Sequence, residues 1–250
     1  MGRRLSVGDL HGGFKALIQC LKRANYDPLK DQLLFLGDVC DGWSETKQCV
    51  DFILAQPNYI YVMGNHCLWF RDYINNGCNI KKADSIWLQH GGRKTIESYS
   101  TLEKFYGDVP DSHVEFFKNM KPYHVTEDNI LFIHAGYSPG KALTPQHYLY
   151  YIFNRDLVEV AIDSLSMDKE FYLKEYKEVF VGHTPTNRYL NEEAKPIIVG
   201  NLYMLDTAAA FDGVLTIMDV DTKEYWQSDV VATLYPDEFG RNECTYNSTK

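Results

Sequence analysis

Asp9, His11, Asp38, Asn65, His134 and His183 occupy similar settings in this chain. Each lies at or just past the end of a short apolar run and close to a glycine. The runs cover residues 5–8, 33–37, 60–64, 130–133 and 179–182. Carboxylates and amide oxygens suit hard divalent ions, imidazole suits borderline ones, and no cysteine is placed as an obvious ligand. One residue separates Asp9 from His11, so on an extended turn both can face one ion. Asp38 can bridge to a second ion that Asn65, His134 and His183 complete. Two ions roughly 3.5–4 Å apart would lower the pKa of a water and clamp a phosphoryl oxygen for in-line displacement.

Such a site needs strands that converge. Short β-rich runs bounded by glycine read as buried strands, and open α/β sheets carry their chemistry at the carboxyl ends of strands. The first third predicts βαβαβ, with helices over 14–21, 49–55 and 68–74. Residues 75–125 predict a helical insertion whose Trp87, Tyr99 and Tyr106 are core residues rather than a substrate platform. Residues 195–199, 202–205, 214–218 and 224–227 predict antiparallel strands, with turn signals at Gly200-Asn201, Asp212-Gly213 and Asp221-Thr222. The expected organisation is one domain over 1–236, followed by a polar tail over 237–250 that frays.

Composition narrows the function classes. With 25 Lys+Arg against 34 Asp+Glu the formal net charge is −9, a poor match to duplex nucleic acid or an anionic membrane. A small phosphate-bearing substrate stays open, because bound metal ions outweigh the average charge locally. No apolar stretch approaches the ~20 residues of a membrane span. The six cysteines show no C-x-x-C spacing, and the N-terminus carries no signal-peptide core. Reduced thiols in a cytoplasmic setting are expected.

Gly8-Asp9-Leu10-His11-Gly12, Gly37-Asp38, Gly64-Asn65-His66, His134-Ala135-Gly136 and Gly182-His183-Thr184 resemble the ordered motifs of the calcineurin-like metallophosphoesterases. Within them, the chain is similar to the phosphoprotein phosphatase family, especially its lambda-type phosphatases and symmetrical diadenosine tetraphosphatases. The stretch from Trp87 through Gly91-Gly92 and Thr95 to Tyr99 resembles a W-L-x-x-G-G-x-x-T…S-Y motif of those bacterial enzymes. Asp206-Thr207-Ala208 with Gly213-Val214-Leu215-Thr216 resembles their late D-T-G-A…G-G-x-L-T segment. The resemblance implies a metallo-dependent phosphatase fold of the α/β class, a central β-sandwich flanked by helices. It implies a first metal on Asp9, His11 and Asp38, and a second on Asp38, Asn65, His134 and His183. Two divalent ions are expected, with Mn favoured and Fe, Zn or Ni as alternatives. His66 becomes the acid that protonates the leaving oxygen, with Asp41 fixing its tautomer. Arg155 and Asn65 become phosphate contacts.

Two positions depart from the family pattern. Its G-D-x-V-D-R-G motif reads Gly37-Asp38-Val39-Cys40-Asp41-Gly42-Trp43 here, so the phosphate-clamping Arg is replaced by Gly42. Glycine supplies none of the bidentate, charge-assisted contacts that arginine makes to phosphate. Arg71, Arg93 and Lys94 are candidate replacement charges, and Trp43 is a candidate wall of the pocket entrance. Cys67 stands where relatives carry Asp or Glu, a candidate oxidisable position beside the acid. The combined expectation is a two-metal phosphoric-ester hydrolase in which metal-bound hydroxide attacks phosphorus directly. The favoured substrate is a phosphomonoester on protein Ser, Thr or Tyr. One alternative is a nucleotide, either diadenosine tetraphosphate or a cyclic phosphodiester. The other is a pseudo-phosphatase that binds phosphate without turnover.

Overall fold

Alternate residues of the apolar strands face different layers, which is why the runs are apolar throughout. In the computed structural model, which describes residues 2–100, 109–144, 146–190 and 193–242, these strands form two five-stranded sheets. Tyr106 and Cys244 lie outside the described residues. The first sheet has the order β10-β9-β1-β2-β3 and the second β4-β5-β6-β8-β7. The strands of the first are β1 (Arg4–Val7), β2 (Gln32–Phe35), β3 (Tyr59–Tyr61), β9 (Thr216–Asp219) and β10 (Tyr225–Gln227). Those of the second are β4 (Tyr123–Val125), β5 (Ile130–Ile133), β6 (Glu178–Val181), β7 (Ile197–Val199) and β8 (Leu202–Met204).

The sheets meet through Leu34, Leu36 and Met218 of the first sheet side and Phe132, Phe180 and Tyr203 of the second. Phe180 stacks on both Phe132 and Tyr203, with centroids 5.1 and 4.6 Å away. The intervening residues Leu33, Phe35, Leu131, Ile133, Val179 and Val181 face the opposite way, into the layer shared with the helices. The expected β-sandwich flanked by helices is therefore present.

The first third folds as βαβαβ. Helices α1 (Phe14–Arg23) and α2 (Thr46–Ala55) connect the parallel strands β1, β2 and β3, and α3 (Asn65–Asn75) follows. All three helices extend beyond their predicted spans, most usefully α3, whose first turn holds Asn65 and His66. Between α3 and β4 lie α4 (Ser85–Trp87), a π-turn at Leu88–Gly92, α5 (Arg93–Ser98) and α6 (Asp111–Lys118). Trp87 and Tyr99 are buried there. Helices α7 (Tyr148–Phe153) and α8 (Asp156–Ser166) connect β5 to β6. No helix among the described residues is long and apolar enough to cross a membrane.

The late strands do not form one antiparallel group. The hairpin β7–β8 joins the second sheet with β8 parallel to β6, whereas β9–β10 joins the first with β9 antiparallel to β1. Each pair was legible as a local hairpin, but the choice of sheet depends on non-local pairing. Nor does the polar tail fray from residue 237. The segment through α9 (Val231–Leu234) to a turn at Gly240–Asn242 is seated on the protein, with Glu238 accepting from the Ser44 amide and hydroxyl at 2.9 and 2.7 Å.

Candidate metal centre and its cleft

Strands β1, β2 and β3 are mutually parallel, as are β5, β6 and β8, and their carboxyl ends supply the site. Asp9, Asp38 and Asn65 follow the first three, and His134, His183 and Asp206 follow the others. The glycines before the ligands have a steric cause. A Cβ on Gly64 would stand 2.0 Å from Asp38 Oδ1, and one on Gly182 would stand 2.1 Å from Asp9 Oδ1. A side chain at either position would occupy the place of a carboxylate oxygen from a neighbouring strand end.

Two groups of ligand atoms result, Asp9–His11–Asp38 and Asp38–His134–His183, each with its atoms within 4.8 Å of one another. Asp38 belongs to both, the position of a bridging ligand. His134 Nε2 lies 3.1 Å from Asp38 Oδ2 and 3.2 Å from Asn65 Oδ1. His183 Nδ1 lies 2.9 Å from the same Asn65 oxygen, which brings Asn65 into the second group. His11 Nε2 lies 4.0 Å from both Asp9 Oδ2 and Asp38 Oδ2. All six residues read from the sequence as ligands are thus brought together.

Each imidazole is oriented from behind. His11 Nδ1 faces the carbonyls of Cys40 and Asp41 at 2.8 and 2.7 Å, and His134 Nδ1 faces that of Leu36 at 2.7 Å. His183 Nε2 faces the carbonyl of Phe153 at 3.2 Å. A carbonyl only accepts, so each of those nitrogens carries a proton, and in the neutral ring it is the other nitrogen that offers its lone pair to the centre. Backbone amides of His66 and His183 donate to Asp38 Oδ1 and Asp9 Oδ2, both at 2.9 Å. The other Asp9 oxygen, Oδ1, is buried without a hydrogen-bond partner. A buried carboxylate oxygen left unsatisfied is costly, and a cation there would satisfy it. His11, Asp38, Asp41 and His183 all hold left-handed backbone, with φ of 47°, 42°, 72° and 65°. Such strain persists where the surrounding structure enforces it and gathers at functional sites.

The charges at the centre favour a cation. Burial raises Asp9, and Asp206 and Asp38 add to the rise. Burial alone pulls His134 down, but Asp38 and Asp9 outweigh it and hold the imidazole up to about 10. Burial pushes Asp206 up to about 6. Three buried carboxylates crowd one region, and the donor set of carboxylate, amide oxygen and imidazole fits divalent Mn, Fe or Zn.

His66 and Asp41 stand beside the centre. His66 Nδ1 lies 2.6 Å from Asp41 Oδ2, leaving Nε2 for the cleft. Asp41 also accepts from Trp87 Nε1 at 2.8 Å and from Thr95 Oγ1 at 2.6 Å, while its amide donates to Thr95 Oγ1 at 2.9 Å. Burial pushes Asp41 up to about 8 against the downward pull of these donors. Burial likewise pulls His66 down, with Arg241 adding to the fall and Asp38 opposing it. The Trp87-to-Thr95 stretch is therefore a bracket for Asp41 and not only core.

A cleft of about 210 Å³ opens over Asp38, Asn65, His66 and His183, and Arg155 and Arg241 line it. Trp69, His90 and Phe153 form its aromatic rim, with Trp69 and His90 rings nearly parallel and 6.3 Å apart. The candidate pocket residues fall elsewhere. Trp43 is fully buried, stacked on Tyr235 at 5.1 Å and donating to the Ala209 carbonyl at 2.8 Å. Cys67 is fully buried beneath the Asp38 loop, 3.4 Å from Tyr61 Oη. Arg71 turns to Met63 Sδ at 3.5 Å, Lys94 pairs with Glu97, and Arg93 is exposed on α5; none lines the cleft. Sequence reasoning missed Asp206, Trp69, His90 and Arg241. Only Asp206 carried a signal, as one more polar residue just beyond an apolar run.

A family model for calcineurin-like phosphoesterases matches residues 3–204. Serine/threonine-protein phosphatase 1 of Salmonella typhimurium is 24% identical over 84% of this chain and 88% of its own length. The symmetrical bis(5'-nucleosyl)-tetraphosphatase of Actinobacillus succinogenes is 40% identical over 136 residues, 53% of this chain and 44% of its own length. This chain thus spans less than half of that relative. The crystal structure of a metallophosphoesterase from Sphaerobacter thermophilus superposes with a TM-score of 0.54 at 15% identity, over 91% of this chain and 89% of that one. With its family match and two groups of buried Asp and His residues able to hold a metal, the chain belongs to the calcineurin-like phosphoesterases and is a metal-dependent phosphoesterase.

Proposed function

We propose that the protein hydrolyses phosphomonoesters with two divalent ions, Mn the expected metal, held by Asp9, His11 and Asp38 and by Asp38, Asn65, His134 and His183. The observation that carries this reading is the shared Asp38 carboxylate between two buried ligand groups, beside His66 in a cleft that also holds Arg155. Such a metal pair, when bound, lowers the pKa of a water and neutralises phosphoryl charge. His66 holds the proton that the leaving oxygen needs, and Asp41 fixes which nitrogen presents it. Asn65 and Arg155 orient the phosphoryl group. A cleft of about 210 Å³ is small beside the ~300–1,000 Å³ of sites that enclose a whole drug-sized ligand. It suits a phosphoryl group whose parent molecule stays outside, as on a phosphorylated Ser, Thr or Tyr. The near full-length match to a protein phosphatase supports the same choice.

A second reading is a nucleotide hydrolase. The aromatic rim of Trp69, His90 and Phe153 favours it, because bases stack on such faces, and so does the 40% identity to the tetraphosphatase. Reconstitution with Mn or Ni and a panel of p-nitrophenyl phosphate, phosphopeptides, diadenosine tetraphosphate and cyclic nucleotides separates the readings. Monoester turnover that is lost in Asp38→Asn supports the proposal. Faster turnover of diadenosine tetraphosphate favours the second reading, and no turnover of any substrate leaves only a phosphate-binding protein.

A further inference from the structure

Two arginines line the cleft, and among the described residues neither Arg155 nor Arg241 has an ion-pair partner or a side-chain hydrogen bond. The Nε of each is buried and unsatisfied. Both side chains are half-buried, and two like charges lining one cleft disfavour each other unless an anion lies between them. Burial already depresses the Arg155 guanidinium, and both Arg188 and Arg241 add to the effect.

We infer that Arg241 is the second half of a phosphate clamp with Arg155, and that the loop rewritten at Gly42 is the seat that delivers it. The inference rests on the phosphoester reading of this cleft. The Arg241 stem runs directly beside Gly42, where an added Cβ would lie in ordinary contact with Arg241 Cγ at 3.6 Å and would press on the His11 carbonyl at 3.0 Å. The next residues hold the turn. Trp43 lies under Gly240, whose Cβ would come within 2.7 Å of the indole. Trp43 and Arg241 bind adjacent carbonyls, those of Ala209 and Ala210, each at 2.8 Å. Ser44 is tied twice to Glu238, and Glu45 accepts from the Tyr235 hydroxyl. The Arg241 guanidinium packs over Phe211 at 5.1 Å, which fixes its plane. Gly42, Trp43, Ser44 and Glu45 therefore form one docking surface for residues 235–241. Arginine forks bind phosphoryl oxygens in pairs, and a dianionic phosphoryl group matches two of them.

The test is calorimetric titration of inorganic phosphate into the Mn-reconstituted protein, with p-nitrophenyl phosphate kinetics in parallel. Arg241→Ala and Arg241→Gln should each weaken phosphate binding by about tenfold or more and lower kcat/KM, with Mn content unchanged. The Gln variant keeps the stem beside Gly42 and decides the case if the Ala variant folds poorly. Glu238→Ala, which loosens the seat but retains the guanidinium, should weaken phosphate binding in the same direction. Lys195→Ala is the surface control and should match the wild type. Phosphate affinity within twofold of wild type in both Arg241 variants overturns the inference, as does a wild-type protein that does not bind phosphate. Phosphate binding that depends on Arg241 in a protein without turnover upholds the clamp and sinks the hydrolase reading instead.

Discussion

The indole N–H of Trp87 and the Nδ1 of His66 meet on one oxygen of Asp41, at 2.8 and 2.6 Å. A carboxylate so held cannot rotate away from the imidazole. Trp87→Phe keeps the ring in its buried site and removes the donor. It should lower kcat about tenfold, with KM and metal content nearly unchanged. Steady-state kinetics with metal analysis checks this. A kcat equal to wild type would reduce Trp87 to packing.

His66 should matter in proportion to how badly the leaving group needs a proton. His66→Asn is expected to cost about 10²–10³ in kcat on an alkyl phosphate and much less on p-nitrophenyl phosphate, whose leaving group departs as an anion. A series of aryl and alkyl phosphates measures the slope. The same loss across the series would remove the general-acid role.

Gly64→Ala and Gly182→Ala would force a methyl group into the space of Asp38 Oδ1 and Asp9 Oδ1. Both variants should bind less than the full complement of metal and lose about 2–4 kcal/mol of stability. Elemental analysis and denaturant unfolding read the two effects separately. Gly77→Ala is a useful contrast, since no atom stands within 4 Å of its added Cβ and only its positive φ of 73° opposes the change.

Restoring an arginine at position 42 should not help. Gly42 has φ of 140°, and a Cβ there would press on the His11 carbonyl and Cβ at 3.0 and 3.2 Å. Gly42→Arg is expected to lower kcat/KM by about tenfold or more on every substrate, through displacement of His11 and the Arg241 stem. Higher monoester activity would show instead that the loop had merely lost a residue.

Away from the cleft, Asp31 accepts from the Arg3 side chain at 2.6 Å and from the amides of Arg3 and Asp27 at 3.0 and 3.1 Å. Burial raises its pKa, but the Arg3 bond and the two amides outweigh that and leave it lowered. A depressed carboxyl pKa adds stability that is present above the unfolded value, near 3.9, and is lost as the pH falls through the folded value. Asp31→Asn should therefore cost about 1 kcal/mol at pH 7, the Arg3 side chain being partly in water, and less at pH 3, below the unfolded value. Urea unfolding of the metal-free protein at the two pH values tests the sign.

The sequence revealed much of this site because packing forced it to. Glycine had to precede Asp9, Asp38, Asn65 and His183, since a side chain there meets a neighbouring strand end or its ligand. The parallel βαβαβ unit was legible because its periodicities are local. Asn65 and His66 open α3 without apolar spacing, so the predicted helix starts three residues too late. The split of the late hairpins between sheets was hidden in pairings across most of the chain. Arg241 had no pattern at all, being a single cation in a polar stretch. Its only trace was the missing charge at Gly42, and Arg71 and Arg93 were nearer in sequence but turn away from the cleft.

Strand β1 carries a consequence for how the protein is made. Leu5 pairs on one side with Leu33 and on the other with Asp219. One edge of the strand that presents Asp9 can be covered early in synthesis, while the other waits for a partner more than two hundred residues downstream. Contacts of such long range form slowly, and until then β1 exposes an open edge. The candidate ligands of the first group can thus gather before the sheet that locks them is complete.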